Sequence, residues 1–99
     1  MCEKLFINNL TNKVFKILPL KEDKEQGYDV YLDDYIDSLY SEIIGATKLF
    51  PDLKIDPDFI TVATTVGYLS TNDFTIKKCK KEVFKMTRLL NQIESKYGG

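Results

Sequence analysis

The sequence predicts an all-α domain, a small helical bundle of three long helices with a short N-terminal element in front. Three observations carry this. Apolar residues recur every three or four positions through three separate segments. Helix start and stop signals frame those segments, at Asp56-Pro57, Thr75, Pro51 and Gly98. Finally, 99 residues of which 43% are apolar suffice for one core and leave little room for a second. The expected single domain spans 1–99, with 1–27 as N-terminal element and linker and 28–99 as a three-helix core.

The N-terminal stretch admits two forms. Phe6, Leu10, Val14 and Ile17 suit one helix face, interrupted at Thr11 or Asn12. The same residues would also make a hairpin, with 5–9 turning through Leu10, Thr11 and Asn12 into 13–18. Helix is the preferred form. The polar run Lys21 to Gln26 then reads as a surface linker.

The first long helix is expected from about Asp29 to Leu49, on the stripe Leu32, Tyr35, Ile36, Leu39, Ile43, Ala46 and Phe50. Gly27 precedes it, Asp29 is its candidate cap, and Pro51 blocks continuation. Gly45 near its end costs on the order of 1 kcal/mol relative to alanine.

Asp56-Pro57 opens the second long helix with an N-cap acid and a proline at the first helical position. Phe59, Val62, Ala63, Val66 and Leu69 keep helical spacing up to the turn at 70–73. Ile60, Thr61, Val62, Thr64, Thr65 and Val66 are β-branched, a strand-like composition. Period and cap agree on helix and outweigh it.

The third long helix, Thr75 to Tyr97, has the clearest pattern. Ile76, Cys79, Val83, Met86, Leu90, Ile93 and Tyr97 form one narrow stripe, Thr75 is a plausible N-cap, and Gly98 fits the position past the end.

With these elements placed, the segments KILPLKE, YIDSLYSEIIGATKLFP, CKKEVFK and IESKYG resemble short uncharacterised proteins of phages and mobile elements in low-GC Gram-positive bacteria. The resemblance spans about Lys16 to Gly98. It implies a helical domain and a setting of host modulation, and it transfers no site residue.

Function classes narrow quickly. The chain has no histidine, which removes Ser-His-Asp and Cys-His catalysis and most zinc sites. Cys2 and Cys79 are far apart and are expected as free thiols in a reducing cytoplasm, with Cys79 buried in its helix stripe. The only paired glycines are Gly98-Gly99, a helix stop rather than a phosphate loop. No apolar run approaches the ~20 residues of a membrane helix, and the N-terminus lacks a secretory leader's pattern. An enzyme, a cofactor and a metal site are not expected.

Charge is the larger signal. Lys21–Asp58 holds eleven acids and four bases, net −7, whereas Thr75–Tyr97 holds seven bases and two acids, net +5. Asp29, Asp33 and Asp37 follow each other at four-residue spacing beside Asp34, a solvated flank or, less readily, a metal or acid–base cluster. Lys77, Lys78, Lys80 and Lys81 crowd the first turns of the last helix, where cations oppose the helix dipole. Either they pair with the acidic helix inside the molecule, or they meet an external anion.

Several apolar residues fall outside their stripes: Tyr40, Ile44 and Val30 on the acidic side, Phe84 and Leu89 in the last helix. The preferred functional reading is a small protein-binding module, a possible inhibitor or regulator of a host protein, with Tyr40, Ile44, Asp33 and Asp37 as contact residues. The alternative is a nucleic-acid-binding module using Lys77, Lys78, Lys81, Lys85 and Arg88. A homo-oligomer, most simply a homodimer with a structural role, is the third reading.

Overall fold

Residues 3–97 are described by the structure, a computed structural model, and their N-terminal stretch is helical: α1 is Glu3–Phe15 and α2 is Ile17–Glu25. Pro19, not Thr11 or Asn12, sets the break between them. It has no N–H to give the Phe15 carbonyl, and its ring crowds that group. The chain stays close to helical across the join, with the Lys16 and Leu20 amides donating to the Asn12 and Lys16 carbonyls at 3.2 and 3.3 Å.

The run expected as a linker is therefore helix as far as Glu25. Ile17 and Leu18 bury its first turn, and Lys21 pairs with Glu25 at 2.8 Å one turn on. Gly27 ends it. With φ at 92° it takes the left-handed position, while the Gly27 and Tyr28 amides return to the Lys24 and Asp23 carbonyls, both at 3.1 Å.

α3 runs Leu32–Leu49, starting three residues later than expected. Tyr31, not Asp29, holds its N-cap position and makes no side-chain cap bond. Val30 packs against the core, which keeps this approach out of the helix. At the other end Phe50 is extended, with φ −126° and ψ 88°, as the residue before a proline must be. Pro51 does stop α3, but it also serves as the first residue of a short helix, α4 (Pro51–Lys54).

The β-branched segment is helical, as α5 (Pro57–Thr71). The Asp56 carboxylate caps it, accepting from the Asp58 and Phe59 amides at 2.9 and 3.2 Å. The threonine hydroxyls that would compete for the backbone instead donate within the helix, Thr64 to the Ile60 carbonyl at 2.9 Å and Thr65 to Thr61 at 2.8 Å. α6 (Ile76–Tyr97) starts at Thr75, whose hydroxyl accepts the Lys78 amide at 3.1 Å. Gly98 lies outside the described residues.

α6 is the axis of the bundle. α1, α2 and α5 pack on it, while the main neighbours of α3 are α5, α4 and α2. The result is elongated, 43 × 21 × 20 Å. The core is not confined to three helices after residue 27. Phe6, Ile7, Leu10 and Val14 of α1 are buried with Ile36, Ile43, Phe59, Val66, Met86 and Leu90, so the N-terminal element is a full member.

Candidate functional site

Because α3 and α6 are not primary neighbours, the acidic and basic helices do not neutralise each other. Among the described residues Asp33 pairs with Lys24 of α2 alone, at the outer limit of an ion pair, 4.0 Å. Lys85 pairs with Glu82 of its own helix at 2.8 Å, and Lys96, far down α6, reaches Asp56 and Asp58 at 2.9 and 3.3 Å. Among the described residues, Lys77, Lys78, Lys80, Lys81 and Arg88 make no ion pair. The internal-pairing account of the charge layout is thus not what the fold adopts.

At 100° per residue, Lys77, Lys80, Lys81, Phe84 and Arg88 share the face of α6 opposite the buried stripe Cys79, Val83, Met86 and Leu90. Lys77 to Arg88 spans about 16 Å of helix at 1.5 Å per residue. All five are exposed, Phe84 by 52%. Beside it stands Phe15 of α1, 47% exposed, the ring centroids 6.4 Å apart and the planes tilted by 56°. On the other flank of α6 the Lys78 ammonium lies 5.0 Å over the ring of Tyr68, which α5 presents 43% exposed. A shallow depression of about 400 Å³ is lined by Lys81, Phe84, Lys85 and Arg88. The arrangement interleaves cations with three half-exposed rings from three helices.

The four residues expected to make a protein contact lie along one edge of α3. Asp33 and Asp37 line a shallow polar depression of about 390 Å³ with residues 69–73 of α5 and the turn that follows it. Among the described residues, no group of carboxylates or thiols is arranged to hold a metal ion. Tyr40 is half-buried and packs on α5 at Gly67, where an added Cβ would come within 3.0 Å of Tyr40 Cε1. Gly67 is what lets the ring lie between the helices. Tyr40 therefore braces the α3–α5 seam, and of the expected apolar pair Ile44 is the more exposed, at 39%. Val30 and Leu89, which also fall outside their stripes, pack against the core.

The two helical glycines separate in consequence. Gly45→Ala meets nothing within 4 Å and should raise stability by up to about 1 kcal/mol. Gly67→Ala should gain less or lose, since the Tyr40 ring must shift. Thermal melts of the two variants check this, and equal gains would show that the ring is not held.

Cys79 is fully buried, as its place in the stripe implies. Burial pushes its thiol up to about 11, with the Lys21 charge pulling down and Glu22 pushing up. At neutral pH it is a protonated, shielded thiol and a poor nucleophile. Cys79→Ser should cost roughly 1–3 kcal/mol by placing a hydroxyl in the core. Native protein should label at Cys79 with a thiol reagent only at the rate of unfolding. Cys2 lies outside the described residues.

A further cavity, about 420 Å³, lies between α1 and α3 and is lined by Asn12, Lys13, Lys16, Tyr35, Ser38, Leu39 and Glu42. Lys13, Glu42 and Tyr35 already have partners within it. Lys13 pairs with Glu42 at 2.7 Å, and the Tyr35 hydroxyl donates to the Lys13 carbonyl at 2.6 Å. Burial, aided by Glu42, holds the Tyr35 phenol above its ordinary value, so it remains a donor. These contacts tie two helices together.

The charge of the sequence singled out Lys77, Lys78, Lys81, Lys85 and Arg88 together but gave no sign of Phe15 or Tyr68, which neighbouring helices bring to the flanks of α6. Lys78 and Lys85 prove to sit on the α5 side, engaged by Tyr68 and Glu82. No protein-family model matches this chain, and no curated protein and no solved structure shows significant similarity to it.

Proposed function

We propose that this protein is a binding module that takes an anionic macromolecule on the outer face of α6. The observation that carries the reading is the set Lys77, Lys80, Lys81 and Arg88, without ion pairs among the described residues and grouped around an exposed phenylalanine. Lys77 sits in the first turn of α6, where it opposes the helix dipole at a cost of about 0.3–1 kcal/mol, and Lys80 and Lys81 follow it one turn on. An anionic partner recovers that cost and is steered to the site by the field of the cluster. Among the described residues no helix is long and apolar enough to cross a membrane. The cytoplasm is the compartment the reading implies.

Retention on immobilised heparin tests it. Wild-type protein should bind at low salt, and Lys77→Glu/Lys81→Glu/Arg88→Glu should flow through. Asp33→Lys/Asp37→Lys should keep or increase retention. Equal retention of the wild type and the triple variant would overturn the assignment of the face.

A second reading, a protein contact along the edge of α3, is favoured by one observation: Ile44 is exposed on the helix that carries Asp33 and Asp37. In the phage or mobile-element setting that the sequence resembles, such a contact would serve an inhibitor or regulator of a host protein. Ile44→Ser is the clean probe, because Tyr40 also braces the fold. Loss of a dimer in Ile44→Ser, seen as a halved mass in solution, would make the contact a self-association. An unchanged mass, together with unchanged capture of host proteins, would remove this reading.

A further inference from the structure

Resting on α6 as the working face, we infer that its ligand is single-stranded nucleic acid. The cations alone would suit any polyanion; the rings discriminate. A phenylalanine side chain has no donor or acceptor to offer a phosphate or a carboxylate, so Phe84 contributes only where an apolar or π surface covers it. It sits among Lys80, Lys81 and Arg88 and is half exposed, with Phe15 6.4 Å away. The 56° tilt means the two rings do not stack on each other.

Tyr68 repeats the pairing of ring and cation on the α5 side, under the Lys78 ammonium at 5.0 Å. A ligand that satisfies this face must present negative charges and flat apolar faces in close alternation. Each nucleotide of a single strand does so, with one phosphate and one unstacked base. A duplex keeps its base faces inside the stack and exposes them only by unstacking. An acidic protein supplies the charge without the repeating flat faces. Because every base has a π face, the binding is expected to tolerate sequence.

The test is fluorescence anisotropy with a labelled fifteen-nucleotide thymidine strand, a fifteen-base-pair duplex, and polyglutamate as competitor, at low and physiological salt. The variants are Phe84→Ala, Phe15→Ala/Phe84→Ala and Lys77→Glu/Lys81→Glu/Arg88→Glu, each checked by circular dichroism for retained helix. The single strand should bind at least about tenfold tighter than the duplex. Phe84→Ala should weaken it about 5- to 150-fold, the range measured for loss of one stacked base. Its salt dependence should be unchanged, whereas the charge reversals should flatten that dependence by removing phosphate contacts. Equal affinity for duplex, or full affinity in Phe84→Ala, would overturn the single-strand assignment while leaving α6 as the polyanion face. Displacement by polyglutamate at matched charge would replace nucleic acid with an acidic protein. No binding to any of the three at low salt would overturn both proposals.

Discussion

Replacing Ile7 by alanine should cost about 2–5 kcal/mol, a large share of the roughly 5–15 kcal/mol that holds a domain of this size together. Ile7 is fully buried, and α1 lies along α6, from Asn8 at 3.4 Å from Glu94 to Phe15 beside Phe84. Urea unfolding followed by far-UV circular dichroism should give Ile7→Ala a loss comparable to that of Met86→Ala, whose side chain is equally buried. A dispensable N-terminal arm would instead leave the midpoint near that of the wild type. The same experiment bears on function, because α1 presents Phe15 to the α6 face.

Asp56 is the second position of large effect. It closes the connection from α4 and begins α5, capping that helix through two amides and receiving the Lys96 ammonium of α6 at 2.9 Å. Burial by itself pushes its carboxyl up. The hydrogen bonds from Lys96 and from the Phe59 and Asp58 amides outweigh that and hold it below the ordinary 3.8. A lowered carboxyl stabilises the fold fully above its unfolded value and loses that contribution as pH falls through the folded one. Asp56→Ala should therefore cost about 1–2 kcal/mol at neutral pH. The gap to the wild type should shrink below about pH 4. Asp56→Asn, which keeps an acceptor for the amides but not the charge, should fall between. A gap that stays constant from pH 7 to pH 3 would mean that the carboxylate charge contributes nothing.

Much of this architecture is written locally. In α5 the Asp56 cap, Pro57 and the burial of Phe59, Val62, Val66 and Leu69 prevailed over a β-branched composition, and the threonine hydroxyls find acceptors within the helix. α6 is marked by its stripe and by Thr75. Local signals misled where packing intervened. The segment 21–25 has no apolar stripe of its own, yet it is helical because Ile17 and Leu18 anchor the turn before it. Asp29 is a good cap residue at the wrong place, since Val30 is drawn into the core.

The candidate site divides in the same way. Its cations share one helix and stand out in the sequence as a run of positive charge. Phe15 and Tyr68 lie far from Phe84 in sequence, and only the packing of α1 and α5 on α6 brings them to its flanks. Tyr40 looked exposed because its partner, Gly67, has no side chain and sits on another helix.

The working surface proposed for this protein is the outer face of α6. Backbone amide shifts of nitrogen-15-labelled protein, titrated at low salt with a heparin-derived octasaccharide, address it most directly. Perturbations should centre on Lys77, Lys80, Lys81, Phe84 and Arg88, with Phe15 at their edge, and fade as salt is raised. Perturbations centred elsewhere, or none at low salt, would contradict it.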